Sequence, residues 1–435
     1  MRLRLAALAV CVAACAVVFS TTAADGLPFE KPASNDLTLN DAMIRVAESH
    51  PDLRLFGARG DVLAAERDRA ALRPTLIAGA SIEDALGSGE SGGLRSAELT
   101  LSLASVLERG GKLDARRTIA QSRIDALAVE RETRRLDLLA EVARRYLAAV
   151  AAQKHREIAQ QDIAQRQRTV AGARQRLQAG ASPESVVLTA QAALARAELD
   201  RARAEQRSIS ARQHLAALWG EREPDFRIVA RDPLKLPAID DFSALAALVD
   251  DTPELAQFAD ERRIREARLQ LARSDGAADL DWQVGLRRSQ ATDDFGLVGS
   301  VSMPLGGRSR AQPGIRVAEA ELASLEIERE AKGMALYSTL AEAHGRYRVA
   351  QIEVQRLQND VLPKLAQAET AAERAYRAGA VSYLEWAQLQ SERTAARKQQ
   401  LDVALDAQRA LIEIQRLTGQ AFAAADAALT QGNIP

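Results

Sequence analysis

The stretch Ala179-Gly180-Ala181-Ser182-Pro183-Glu184 returns as Ala378-Gly379-Ala380-Val381-Ser382, the two glycines standing 379 − 180 = 199 positions apart. Each copy closes a long run of helix-forming residues. Lys112 to Gln178 holds no proline and one glycine, Gly172, and these 67 residues would make a helix about 100 Å long at ~1.5 Å per residue. The second run, from about Ile315 to Arg377, carries Gly333, Gly345 and Pro363 as expected kink or stagger points. Gly180 and Gly379 suit the left-handed position just past a helix end. The chain then turns back at once. Ser182 reads as a cap with Pro183 at the first helical position, and Ser382 as a cap with Glu385 three residues on. The return helices run to about Trp219 and Thr418, so each half contains a helix hairpin.

The match extends outward from these turns. Pro51-Asp52-Leu53 returns as Pro253-Glu254-Leu255 (253 − 51 = 202), and Gly110-Gly111-Lys112 as Gly306-Gly307-Arg308 (307 − 111 = 196). Leu139-Ala140-Glu141 with Arg145-Tyr146 returns as Leu340-Ala341-Glu342 with Arg346-Tyr347 (340 − 139 = 201). Fixed-period self-similarity of this kind marks a duplicated architecture, and two copies are too few for a solenoid. The chain divides into a targeting segment (1–24), a lead-in (25–37), a first copy (38–220), a linker (221–240), a second copy (241–419) and a tail (420–435). Thr38 with Asp41 opens a short helix, and Pro51 suits the first turn of the next.

Between these helices and the long one, each copy carries two strand-like segments, at 75–107 and 280–304. Leu76, Ala78, Ala80 and Ile82 alternate with Ile77, Gly79, Ser81 and Glu83, and Leu99, Leu101 and Leu103 with Glu98, Thr100 and Ser102. In the second copy Leu280, Trp282, Val284 and Leu286 alternate with Asp281, Gln283, Gly285 and Arg287. Phe295, Leu297, Val301 and Met303 then oppose Asp294, Ser300 and Ser302. Segments of about ten residues, apolar on one face and polar on the other, are the pattern of transmembrane barrel strands. An ordinary half-buried hairpin would give the same signal in any single segment.

Bulk composition agrees with long helices. The 435 residues carry a net charge of −1, 27 % charged side chains and only 4 % aromatics. This balance gives no sign of a nucleic-acid partner. Arg2 and Arg4 precede an apolar run from Leu5 to Phe19, which reads as a secretory signal cleaved near Asp25. Val12-Ala13-Ala14 before Cys15 has the form of a lipidation site, although the apolar run continues past it. Cys11 and Cys15 are the only cysteines, so ordinary cleavage would leave no thiol for a disulfide or a metal. After Phe19 no apolar run reaches the ~18–20 residues that a spanning helix needs.

The return helices carry two neighbouring seams. Leu188, Ala192, Ala195, Leu199, Ala202 and Ile209 form one; Val187, Ala190, Leu194, Ala197, Ala204 and Leu215 form the other. Two narrow seams imply a helix neighbour on each flank, which builds a wall rather than a solid bundle. Four strands cannot close a barrel, and open edges in lipid leave backbone groups unpaired. Closure therefore requires several copies, either two with eight strands or three with twelve.

The chain resembles the TolC-like outer membrane factors, and within them the branch that serves heavy-metal and drug efflux with resistance-nodulation-division pumps. The resemblance covers about Leu37 to Gly419. It rests on the duplication, on the turns at Gly180-Ala181-Ser182 and Gly379-Ala380-Val381-Ser382, and on the opening LTLNDAMIRVAESHPDL (Leu37 to Leu53). It implies a mainly α protomer with a β-barrel part. Three such protomers would form a 12-stranded outer-membrane β-barrel joined to a 12-helix periplasmic α-barrel. Implied partners are two further copies, a periplasmic adaptor, an inner-membrane pump and outer-membrane lipid. The implied function is a passive exit duct. A periplasmic coiled-coil adaptor or scaffold is the alternative, though adaptors carry split lipoyl-like halves and none is visible here.

The sequence offers no catalytic constellation, metal-ligand spacing or cofactor motif, so neither an enzyme nor a bound cofactor is expected. His155 reads as solvated helix surface and His50 as a loop or cap residue. The resemblance makes the hairpin tips the periplasmic gate and adaptor-binding end. It puts a constriction carboxylate six residues past each tip glycine: Glu385 in the second copy, but Val186 in the first, with Glu184 nearby. A carboxylate ring there would favour cations, whereas Ser382 and Glu385 also make a capping box. Trp282 and Phe295 are candidate membrane-interface aromatics.

Overall fold

The computed structural model describes residues 35–422, apart from 90–91 and 230–231. The targeting segment with Cys11 and Cys15, nearly all of the lead-in and the tail past Phe422 lie outside the described residues. Elements run in matched order through the two copies. The first holds β1 (Asp36–Leu37), α1 (Leu39–Ser49), α2 (Pro51–Ala70), β2 (Ile77–Glu83), β3 (Glu98–Leu107), α3 (Lys112–Gln178) and α4 (Glu184–Ala216). After β4 (Arg227–Ile228), the second holds α5 (Phe242–Val249), α6 (Pro253–Ser274), β5 (Leu280–Ser289), β6 (Asp294–Ser302), α7 (Gly307–Arg356), α8 (Leu362–Arg377) and α9 (Tyr383–Thr418). None of the described helices is long and apolar enough to cross a membrane.

Local signals set these boundaries. Thr38 caps α1 in a reciprocal capping box with Asp41. Imidazole Nδ1 of His50 accepts from the Asp52 amide at 3.2 Å and so caps α2. Pro183 differs from expectation. It is extended (ψ 159°) and is itself the N-cap, so α4 starts at Glu184 and the Ser182 side chain makes no capping bond. α7 starts at Gly307, earlier than expected, and continues through Pro313. A π-turn at Leu357–Val361 separates α7 from α8, immediately before Pro363. Proline lacks an N–H and crowds the preceding turn, and widening that turn accommodates the ring.

The two β-hairpins join in one antiparallel four-stranded sheet, in the order β2-β3-β5-β6. Its register sorts the side chains cleanly. Rung by rung, one face carries Ile82, Leu99, Arg288 and Phe295, then Ala80, Leu101, Leu286 and Leu297, then Ala78, Leu103 and Val284. The other face carries Glu83, Glu98 and Asp294, then Ser81, Thr100 and Arg287, then Gly79, Ser102 and Gly285. Leu101, Leu286 and Leu297 are all exposed, so the apolar face has no partner within the chain. Trp282 and Phe295 lie on that face at opposite ends of the sheet, Phe295 beneath the Arg288 guanidinium at 5.5 Å. At Gly285 a Cβ would meet the Leu101 carbonyl oxygen at 2.7 Å, so only glycine fits between β3 and β6 there.

The helices form walls. Near the sheet, α2 packs on α3, α3 on α6 and α6 on α7; further away, α4 packs on α3, α3 on α9 and α9 on α7 and α8. α9 is buried on two sides, α4 on one. Val187, Ala190, Ala197, Ala204 and Leu215 are covered by α3, whereas Leu188 and Leu199 of the second seam remain 56 % and 49 % exposed. His155 is not plain helix surface: its Nε2 lies 3.0 Å from the Asp402 carboxylate, which joins α3 to α9.

A belt crosses the helices at mid-height. β1 and β4 pair in parallel, tying the lead-in to the linker. The Tyr146 hydroxyl donates to the carbonyls of Leu37 (3.2 Å) and Val229 (2.7 Å), and its duplicate Tyr347 donates to the carbonyl of Pro237. Burial pushes the Tyr347 phenol up to about 12 and the Tyr146 phenol higher still. The repeated Arg-Tyr pair thus marks equivalent attachment points. Replacing Tyr146 or Tyr347 by Phe removes part-buried hydrogen bonds and is expected to cost about 0.5–1.5 kcal/mol at either site. Thermal unfolding of the two variants checks this, and two unchanged midpoints would show that the belt is not anchored by these hydroxyls.

Candidate functional site at the helix-hairpin tips

The tips are built from matched turns. After α3, Gly180 takes φ +68°, its amide donates to the Leu177 carbonyl at 2.9 Å, and the Ala181 amide donates to Arg176 at 2.8 Å. After α8, Gly379 takes φ +81°, with bonds to Tyr376 (3.0 Å) and, from Ala380, to Ala375 (2.8 Å). Both are Schellman turns, in which a left-handed glycine lets the chain satisfy its last helical carbonyls.

The following helix starts differ. Ser382 Oγ accepts from the Glu385 amide at 3.3 Å, and a Glu385 carboxylate oxygen accepts from the Ser382 amide at 2.9 Å. Glu385 is thus held in a capping box. Glu184 is exposed in the first turn of α4, where its charge complements the helix N-terminus. Val186 is half-buried against the apolar cluster between the hairpins. The position matching Glu385 therefore serves as packing.

That cluster unites the two copies. Tyr376 stacks on Trp386 (5.1 Å, 27°) and meets Tyr383 edge-on (6.2 Å), packed among Val170, Ala173, Val187 and Ala190. The Arg176 guanidinium sits 4.7 Å over the Tyr376 ring and donates to the carbonyls of Tyr376 and Ala181. Burial raises the Tyr383 phenol above its ordinary value, opposed by the nearby Arg166 charge. The seam pattern of the return helices does not link Trp386 to Tyr376 and Tyr383. The signal was present in the concentration of aromatics at one tip of a chain that has few.

A polar belt lies about two to five turns behind the tips. Asp162, Arg166 and Thr169 share one face of α3. The Arg166 guanidinium donates to Ser391 Oγ (3.2 Å), and the Thr394 hydroxyl donates to Asp162 (3.2 Å). The Gln390 amide donates to Thr169 Oγ1 at 3.0 Å, where both side chains are buried. Glu369 of α8 is buried, and it accepts from Gln165 of α3 and from Arg393 of α9, the latter at 2.6 Å. Buried polar groups are costly unless paired. The belt consequently favours one arrangement of α8 and α9 against α3. Among the described residues no group of His, Cys, Asp or Glu is placed to hold a metal ion.

Residues 45–221 match the family described as outer membrane efflux protein. The cobalt-zinc-cadmium resistance protein CzcC of Cupriavidus metallidurans is 26 % identical over 407 residues, covering 93 % of this chain and 96 % of that protein. Among solved structures, CusC superposes with a TM-score of 0.73 at 18 % identity, over 88 % of this chain and 92 % of the other. A membrane protein from Pseudomonas aeruginosa gives 0.74 at 18 %, over 90 % and 92 %.

Trp386→Ala removes the centre of the tip cluster and is expected to destabilise it by about 3–5 kcal/mol. Ser382→Ala removes one cap bond, at about 1 kcal/mol. Hydrogen exchange of the tip amides should accelerate strongly in the first variant and slightly in the second. Equal protection in both would refute the ranking.

Proposed function

Because the chain belongs to the outer membrane efflux protein family, we propose that it works as a ring of three identical copies forming the exit duct of a tripartite efflux system. The chain is an outer-membrane efflux channel that reaches into the periplasm. It conducts passively, and an inner-membrane resistance-nodulation-division pump with a periplasmic adaptor supplies drive and cargo. One observation carries the reading: every layer of the protomer ends on a first-copy element at one side and a second-copy element at the other. The sheet ends on β2 and β6, the upper wall on α2 and α7, and the lower wall on α4 and the α7–α8 helix.

Edges of this kind close head to tail. β2 of one protomer pairs with β6 of the next, α4 lays Leu188 and Leu199 against the next protomer's α8, and rotation completes the ring. Two copies of a four-stranded sheet give an eight-stranded barrel filled by its own side chains. Three give twelve strands and a lumen, as the resemblance implies. The apolar sheet face then meets lipid, with Trp282 and Phe295 at its two borders, and the polar face lines the bore.

The periplasmic gate belongs at the hairpin tips, with Gly180, Gly379, Ser382, Glu184 and Glu385 forming the surface offered to the adaptor. Opening swings α8 and α9 away from α3 and breaks the polar belt. Glu385 contributes a carboxylate held in its capping box there. Similarity to CzcC favours metal cations as cargo over drugs. Deletion of the gene should lower resistance to divalent cobalt, zinc or cadmium more than resistance to drugs. The protein should fractionate with the outer membrane as a heat-modifiable trimer. Recovery as a monomer in osmotic-shock fluid would instead support the periplasmic scaffold. Asp162→Ala, which removes the α3 carboxylate that accepts from Thr394 of α9 and braces Arg166, is expected to raise conductance in planar bilayers. Unchanged conductance would remove the belt from the gate.

A further inference from the structure

We infer that Arg287 sets the ion selectivity of the outer mouth of the duct. The inference rests on the ring reading above, which turns the polar sheet face into the lining of a bore. The sheet end remote from the helices is the outer one, because Leu107 and Ser302 at the other end lead into α3 and α7.

Register places the charges. The outermost inward-facing rung is Glu83, Glu98, Ser289 and Asp294, and the next is Ser81, Thr100, Arg287 and Gly296. Arg287 reaches back toward the mouth and spans three strands. It donates to Glu98 at 2.8 Å and to Thr100 Oγ1 at 3.1 Å, and lies 3.5 Å from Glu83. The guanidinium is a planar fork that stays charged at every accessible pH, so these bonds hold it against the wall as a fixed positive charge. The next two rungs inward are Gly79, Ser102, Gly285 and Val298, then Ile77, Ala104, Gln283 and Ser300. Neither carries a charge, and Asp281 follows only at the inner end. At the same end Arg288 of β5 lies on the opposite, apolar face and pairs with Asp293 of the turn at 2.8 Å.

The fixed charge of these two outer rungs is therefore three carboxylates against one guanidinium, a balance of −2 per protomer. Charged side chains ringing a pore select ions by sign. Arg287 restrains a mouth that would otherwise be more strongly cation-selective, and it holds Glu83 and Glu98 at the wall, where they leave the bore clear.

The test is a charge series on the full-length trimer in planar bilayers under a potassium chloride gradient. Salt is kept below 0.1 M, where the screening length exceeds about 10 Å. Heat-modifiable migration confirms assembly of each variant. The cation-to-anion permeability ratio should rise several-fold in Arg287→Gln, stay at the wild-type value in Arg287→Lys, and fall toward unity in Glu83→Gln/Glu98→Gln. The tips contribute equally to every member of the series, so differences between members report the mouth. Coincident reversal potentials in assembled, conducting channels would overturn the assignment to Arg287 and leave the duct standing. Lys and Gln variants shifting together would also overturn it, since that marks a packing role rather than a charge. A wild-type trimer that conducts nothing would overturn the duct reading itself, and this inference with it.

Discussion

Unpaired backbone is the constraint on which the rest of this structure depends. β2 and β6 each present a free edge, and the face between them is apolar and uncovered. In hydrocarbon every unpaired N–H or C=O costs several kcal/mol, so a sheet of this kind is untenable alone. Pairing β2 with β6 of another copy removes both edges at once. The same rotation must then satisfy the helical walls, whose exposed seams lie on elements of the same two borders. On the ring reading proposed above, one closure operation serves lipid, sheet and helix layers together.

Much of this was legible in the sequence because it depends on periodicity and punctuation. Alternation over ten residues gave the strands and their faces. The glycines at 180 and 379 gave the tips. Features that depend on meetings across the sequence were not legible. The β1–β4 ladder is two residues long, too short for any pattern. The bond between His155 and Asp402 and the belt joining Asp162 to Thr394 connect residues more than 200 positions apart, and neither residue signals its partner. Pro183 was misplaced by one position because a proline fits either the cap or the first helical turn, and its own ψ decides.

The tip shows how a local motif can change the meaning of a residue. In sequence, Glu385 reads as a cap or as a pore carboxylate. In the structure its carboxylate accepts from the Ser382 amide and hydroxyl, which fixes it at the helix start. Val186 completes the point: the matching position in the first copy is turned into the Tyr376–Trp386 cluster. The two tips are therefore unequal in chemistry, although their Schellman turns match bond for bond.

This inequality extends along the helices. α3 is continuous for 67 residues, while its counterpart is split by a π-turn at Leu357–Val361 just before Pro363. A π-turn widens the helix and leaves its hydrogen bonds poorly matched, so bending concentrates there. Below it, α8 and α9 are tied to each other by Arg393 and Glu369, and to α3 by the polar belt. A continuous helix beside a jointed one gives a wall one fixed strut and one that can swing. Under the gate proposed above, the belt selects the position that the jointed strut occupies. On the duct reading the first copy therefore forms the frame of the tip, and the second copy carries the motion.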